Sequence, residues 1–130
     1  MFKGEMTLRP TTRQTINESY GLLGLAAARR QPVAGIYDGL PRLFCPHVLG
    51  RKSGQFHALC YQFGGSSHHG LPVMSEGGGG WRCIAVDKLS ELELRTGAWH
   101  TESRSPRQTC IDEIDFDVDA QSGDNPQNGQ

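Results

Sequence analysis

From Thr15 onward the chain alternates between two hydrophobic periods. Thr15-Ile16-Asn17-Glu18 has the form of a capping box, a threonine followed three residues later by a glutamate. Ile16, Tyr20, Leu23 and Ala27 then recur at helical spacing, among the good helix formers Leu22, Leu25, Ala26 and Ala28. Arg29 and Arg30 suit the negative end of a helix dipole, and Pro32 stops propagation, so the pattern predicts a helix over 16–30.

Beyond Pro32 the period falls to two. Val33–Tyr37 reads as a strand, Asp38-Gly39 as a hairpin turn, and Leu40–Cys45 as the returning strand. Pro46–Lys52 reads as a connection, Ser53-Gly54 as a second turn and Gln55–Phe63 as an aromatic-rich strand. A glycine-rich loop over 64–80 leads to a strand at 81–86, a bend at 87–89 and an extended piece at 92–94. Thr96–Arg107 looks irregular. Thr109–Val118 alternates, with Ile114, Phe116 and Val118 on one side and Glu113, Asp115 and Asp117 on the other, as in a last strand. One capped helix and five or six short strands predict a mainly β, α+β fold: a small curled barrel with the helix packed on it, since closure removes exposed edges. The expected organisation is an irregular segment at 1–14, one domain at 15–118 and a polar, unstructured tail at 119–130.

A chain of 130 residues has room for one such domain, and no apolar run is long enough for a transmembrane helix. Without an apolar h-region near Met1, the expected setting is the cytoplasm, away from membranes. The formal charge of −1 conceals an asymmetry. Thirteen cations against eight acids leave +5 over residues 1–111, and six acids give −6 over 112–130. The acidic end is either a solvated segment or a cover that competes with phosphates for a basic surface. Cys45, Cys60, Cys83 and Cys110 contain no CxxC pair, and in a reducing compartment four free thiols are expected, three of them in strands as small apolar residues.

The candidate chemistry is anion binding. Arg82 shares a strand face with Ile84 and Val86 and stands at the first inward position. There its guanidinium could grip phosphate or carboxylate at a barrel rim, or pair with Asp87, Glu91 or the acidic end as a brace. Arg42, His47, Arg51 and Lys52 cluster around one strand end and the loop that follows, where they are either phosphate contacts or ordinary solvated charges. Phe56, Tyr61 and Phe63 are core aromatics or base-stacking platforms. His57 could donate to a ligand or be a half-buried histidine, and Lys88 adds a cation beside the bend. Cys45 with His47 lacks the orienting third group of a nucleophilic triad. His68 and His69, with Cys45, His47 or Cys60, lack the short ligand pairs that announce zinc. With no nucleophile elbow, P-loop, GxGxxG or HExxH, the expectation is a non-enzyme with no metal or cofactor.

The order of Ile36-Tyr37-Asp38-Gly39, Arg42-Leu43-Phe44-Cys45-Pro46-His47, Gly54-Gln55-Phe56-His57-Ala58-Leu59 and Arg82-Cys83-Ile84-Ala85-Val86-Asp87-Lys88-Leu89 resembles the WYL domain over about residues 16–95. Pro46-His47, Gly50, Tyr61-Gln62, Gly64-Gly65-Ser66-Ser67, Gly70, Trp81-Arg82 and Asp87 resemble a group of short stand-alone bacterial WYL-like proteins more closely. Phe56, His57 and Ala58 replace the name-giving triplet, with His57 where the family has tyrosine, Ile84 replaces an aromatic residue, and Lys88 replaces an arginine. The resemblance implies an SH3/Sm-like barrel and a regulatory sensor of nucleotide-like or nucleic-acid ligands, a role tied to transcription regulation in that family. Its usual helix-turn-helix companion has no room here, so regulatory output would need a partner protein or a homo-oligomer. The expected partners are therefore a nucleotide or single-stranded nucleic acid, with a protein-interaction or oligomerisation module as the alternative.

Overall fold

The computed structural model describes residues 14–66, 80–104 and 109–123. Helix α1 spans Ile16–Arg29, and its capping box is formed: Glu18 N–H donates to Thr15 Oγ1 and Thr15 N–H to Glu18 Oε1. Arg30 closes it in the left-handed region. The buried face is Ser19, Leu23, Ala26 and Ala27, whereas Ile16 is 46% exposed. The apolar stripe is therefore rotated from the expected one. Small side chains at 19, 26 and 27 let the helix lie close to the sheet, which large ones would not.

Six antiparallel strands form one sheet: β1 (Val33–Tyr37), β2 (Leu40–Lys52), β3 (Gln55–Gly65), β4 (Gly80–Ala85), β5 (Leu89–Leu94) and β6 (Glu113–Asp117). Asp38-Gly39 and Ser53-Gly54, all at positive φ, make the two tight hairpins between β1, β2 and β3, as the turn signals predict. The pairing order is β4–β3–β2–β1–β5. β4 and β5 thus sit at opposite ends of that path, yet only one 3-10 turn, Val86–Lys88, joins them. Three residues of 3-10 helix reach about 6 Å, so the two ends must meet and the sheet curls on itself. Two bonds tie the junction to the end of β1: Ala85 N–H donates to Tyr37 Oη at 3.0 Å, and Asp38 N–H to Lys88 O at 3.2 Å. The inside holds Val33, Phe44, Leu49, Ala58, Cys60, Ile84, Val86, Leu89 and Leu92, with Leu23, Ala26 and Ala27 of α1. Each large apolar side chain buried there contributes about 1.5–3 kcal/mol.

Residues 46–52, expected to be a connection, continue β2 to Lys52. The register shifts between Pro46 and Val48, which oppose Cys60 and Leu59, so His47 is the extra residue of a bulge. A proline lacking an N–H is tolerated at such a break, and the bulge bends a strand otherwise too long for a small barrel. β2 pairs β3 along one edge; along the other it pairs β1 with its first half and β6 with its second. The last strand is confined to Glu113–Asp117. Val118–Gly123 forms a short second helix, α2, at the start of the expected unstructured tail; residues 124–130 lie outside the described residues.

On the outer face, Val48, Leu59, Cys110 and Ile111 form a second cluster with Trp81. Cys83 and Cys110 are joined as a disulfide with Cα atoms 5.6 Å apart, against the expectation of four free thiols. Cys83 faces outward from β4, and the segment before β6 packs over that face, bringing Cys110 within bonding reach. Cys45 and Cys60 are free and buried, which raises both thiol pKa values, that of Cys45 to about 11. No helix among the described residues is long and apolar enough to cross a membrane.

Candidate functional site: a cationic barrel mouth

The strand alternation that points Phe44, Cys60 and Ile84 into the barrel also points Arg42, Gln62 and Arg82 inward, one layer nearer the end where β1 turns into β2. Arg42 is 5% exposed and Gln62 is fully buried. Arg42 Nη1 donates to Gln62 Oε1 at 3.3 Å. The amide orientation is set by its other end, where Nε2 donates to the carbonyls of Gly64 and Ser66 at 3.1 and 2.8 Å. The Arg42 guanidinium lies over the Tyr37 ring, 5.1 Å from its centroid. Its partners on the neighbouring strands are Gly35 and Gly65, neither of which raises a side chain beside it.

Arg42 Nε and Nη2 are buried and have no hydrogen-bond partner among the described residues. No ion pair joins Arg42 to a carboxylate among the described residues. Burial lowers its pKa, and the charge of Arg82 lowers it further, against smaller opposing effects of Tyr37 and Asp38. Arg82 approaches from β4. Gly80 pairs with Gln62, and Arg82 Nη1 lies 2.7 Å from where residue 80 would carry a Cβ. One guanidinium is thus bonded to the Gln62 amide oxygen, and the other lies by Gly80, the cross-strand partner of Gln62. Arg82 is itself only half-buried and donates to Trp81 O at 3.3 Å.

The seven expected binding residues do not form one patch. Arg42 and Arg51 are nine positions apart on one strand, about 30 Å at ordinary strand rise. Arg51 is engaged by Glu113 at 3.1 Å and Asp115 at 3.4 Å, and Lys52 Nζ donates to Thr109 O at 2.6 Å. The acidic end thus closes on the far end of β2. Asp115 also accepts from Tyr20 Oη, and Asp117 and Asp119 share Arg104. His57 faces outward with Leu59, its Nδ1 3.1 Å from Gln55 O, and Lys88 is exposed on the 3-10 turn.

His47 is a buried strut. Its Nδ1 lies 2.7 Å from Cys45 O, which requires the proton there, so Nε2 accepts from Thr101 Oγ1 at 2.9 Å. Trp81 meets the ring edge-on and Trp99 lies tilted against it, both centroids at 4.7 Å. Desolvation lowers its pKa. It faces the Cys45 carbonyl and not the thiol, so the two form no nucleophile–base couple. The thiol instead accepts from His100 N–H at 3.3 Å. Phe56 stacks on Tyr20 at 4.0 Å, Phe63 on His100 at 4.1 Å, and Tyr61 is buried against Trp81. Each of the three supposed base platforms is thereby occupied internally. No three His, Cys, Asp or Glu side chains gather among the described residues; His68 and His69 lie outside them.

Tyr37 and Gln62 were absent from the expected site. Their signal was inward parity at the same barrel end as Arg42 and Arg82, which becomes readable once the two hairpins are in register. No family model, curated protein or solved structure matches this chain.

Proposed function

We propose that the barrel mouth holds the anionic group of a nucleotide-like ligand between Arg42 and Arg82, and that the protein is a non-catalytic sensor or nucleic-acid-associated regulatory module. The observation that carries this reading is Arg42: a buried guanidinium with two donors unpartnered and no carboxylate bonded to it among the described residues, and with the charge of Arg82 acting on it. A buried unpaired charge costs several kcal/mol, which a bound anion would offset. The resemblance to WYL domains agrees with this reading as analogy. With Arg51 and Lys52 engaged elsewhere, the contact is a single anionic group and not a strand of phosphates. In a cytoplasmic setting, which the reading includes, Cys83 and Cys110 would be held reduced and the barrel would rest on its noncovalent contacts.

The test is equilibrium binding of nucleoside phosphates and a short single-stranded oligonucleotide to the full chain at low salt. Binding that weakens in Arg82→Ala and as salt rises supports the reading. No binding, or affinity unchanged in the variant, overturns it.

A protein-interaction or oligomerisation module is the second reading, favoured by β6. Among the described residues this strand pairs only with β2, and Ile114 on it is 53% exposed. Strand addition there would join two copies, although Glu113, Asp115 and Asp117 disfavour it by charge. Light scattering across a concentration series decides: a constant monomer mass removes self-association.

A further inference from the structure

Resting on the proposed anion site, we infer that its ligand carries a terminal phosphate monoester and that the Nε–Nη2 edge of Arg42 receives that phosphate side-on. The edge is defined by what is already engaged. Gln62 Oε1 holds Nη1, and the Gly64 and Ser66 carbonyls keep the Gln62 amide from turning. Tyr37 covers one face of the guanidinium plane. What remains is Nε–H with the Nη2–H syn to it, two parallel donors, both unpartnered among the described residues. Such a fork matches two oxygens of a phosphate or carboxylate in one plane.

Charge selects between them. Arg82 stands near enough for its charge to act on Arg42, and neither arginine is ion-paired among the described residues. A phosphate monoester carries about −1.5 to −2 at pH 7, because its second pKa is about 6. A phosphodiester or a carboxylate carries one negative charge and leaves a buried cation uncompensated. Arg82 is the movable member: half-buried, donating to its neighbour's carbonyl, and on a long side chain. Its swing admits the ligand to Arg42 and then supplies the second charge. The preferred class is thus a nucleoside monophosphate or an oligonucleotide bearing a phosphorylated end, and not an internal backbone phosphate.

The experiment is calorimetric titration of the full chain with adenosine 5′-monophosphate, its 3′,5′-cyclic diester and adenosine, at pH 7.5 and 5.5. The expected result is monoester affinity roughly tenfold or more above the cyclic diester, a difference of about 1.4 kcal/mol, narrowing at pH 5.5 as the monoester takes up its second proton. Arg42→Lys, which keeps both charges and lacks the fork, weakens the monoester and the cyclic diester alike and retains the preference. Arg82→Gln, at a half-buried position that tolerates change, lowers monoester affinity most. Equal or tighter binding of the cyclic diester overturns the monoester inference and leaves the anion site standing. Binding of adenosine alone, or of none of the three, overturns both.

Discussion

The head of Arg82 occupies the place of a side chain that residue 80 does not have: its Nη1 stands 2.7 Å from the position of a Cβ on Gly80. The second cation of the mouth therefore depends on a glycine two residues away on the same strand face. Gly80→Ala is expected to leave the thermal midpoint nearly unchanged, since a flexible side-chain end can move aside at little cost and the change lies within about 0.5 kcal/mol. It should weaken anion binding several-fold by displacing that head. Parallel melting and titration of the variant check both halves, and full affinity would show that the position of Arg82 over Gly80 is irrelevant to binding.

Gly50 has the opposite character. A Cβ there would run into the Glu113 carbonyl oxygen and lie 2.6 Å from Ile111 Cγ2. Backbone cannot yield as a side-chain tip does, so Gly50→Ala should prise β6 from β2 and cost about 1–3 kcal/mol. Denaturant midpoints measure the loss, and hydrogen exchange should show it first at the amides of 113–117.

Stability should fall on acidification through His47. Its pKa is lowered in the folded state, chiefly by burial. The unfolded chain therefore binds more protons than the native one once pH drops below the ordinary histidine value of about 6.5. The stabilisation is complete above that value and is lost as pH falls toward the lower native pKa. Protonation of Nε2 also removes the acceptor for Thr101. Thermal midpoints at pH 7.5 and 5.5 should differ more for the native chain than for His47→Gln; equal slopes would assign the acid sensitivity to other groups.

Cys83 and Cys110, 27 positions apart, close a loop for which chain-entropy reasoning gives about 3.5 kcal/mol. In oxidising buffer, thiol titration of the unfolded chain should find two reactive cysteines, Cys45 and Cys60, and four after reduction. Reduction should also lower the melting temperature, whereas Cys110→Ala should be insensitive to reductant. Four thiols without reductant would mean the bond does not form.

Much of the fold was readable because it is encoded locally. The Thr15/Glu18 box, Asp38-Gly39 and Ser53-Gly54 each specify one backbone geometry, and each is found. The inward position of Arg82 followed from alternation with Ile84 and Val86. Pro46 misled: a proline ordinarily ends a strand, but here it sits at a bulge whose partner strand comes from later in the chain. The cation cluster at 42–52 failed for the same reason, since neighbours in sequence become the two ends of one extended strand. The acidic alternation at 113–117 was visible, but its partner Arg51 was not, because pairing across 62 residues leaves no trace in local pattern.

β2 is bordered on one edge by strands drawn from both extremes of the domain, β1 before it and β6 at the close. During synthesis its second half has no neighbour on that side until residues 113–117 have cleared the ribosome. The nascent barrel thus carries an open strand margin through most of its emergence, and any helper that guards this protein from misassembly should act during that interval.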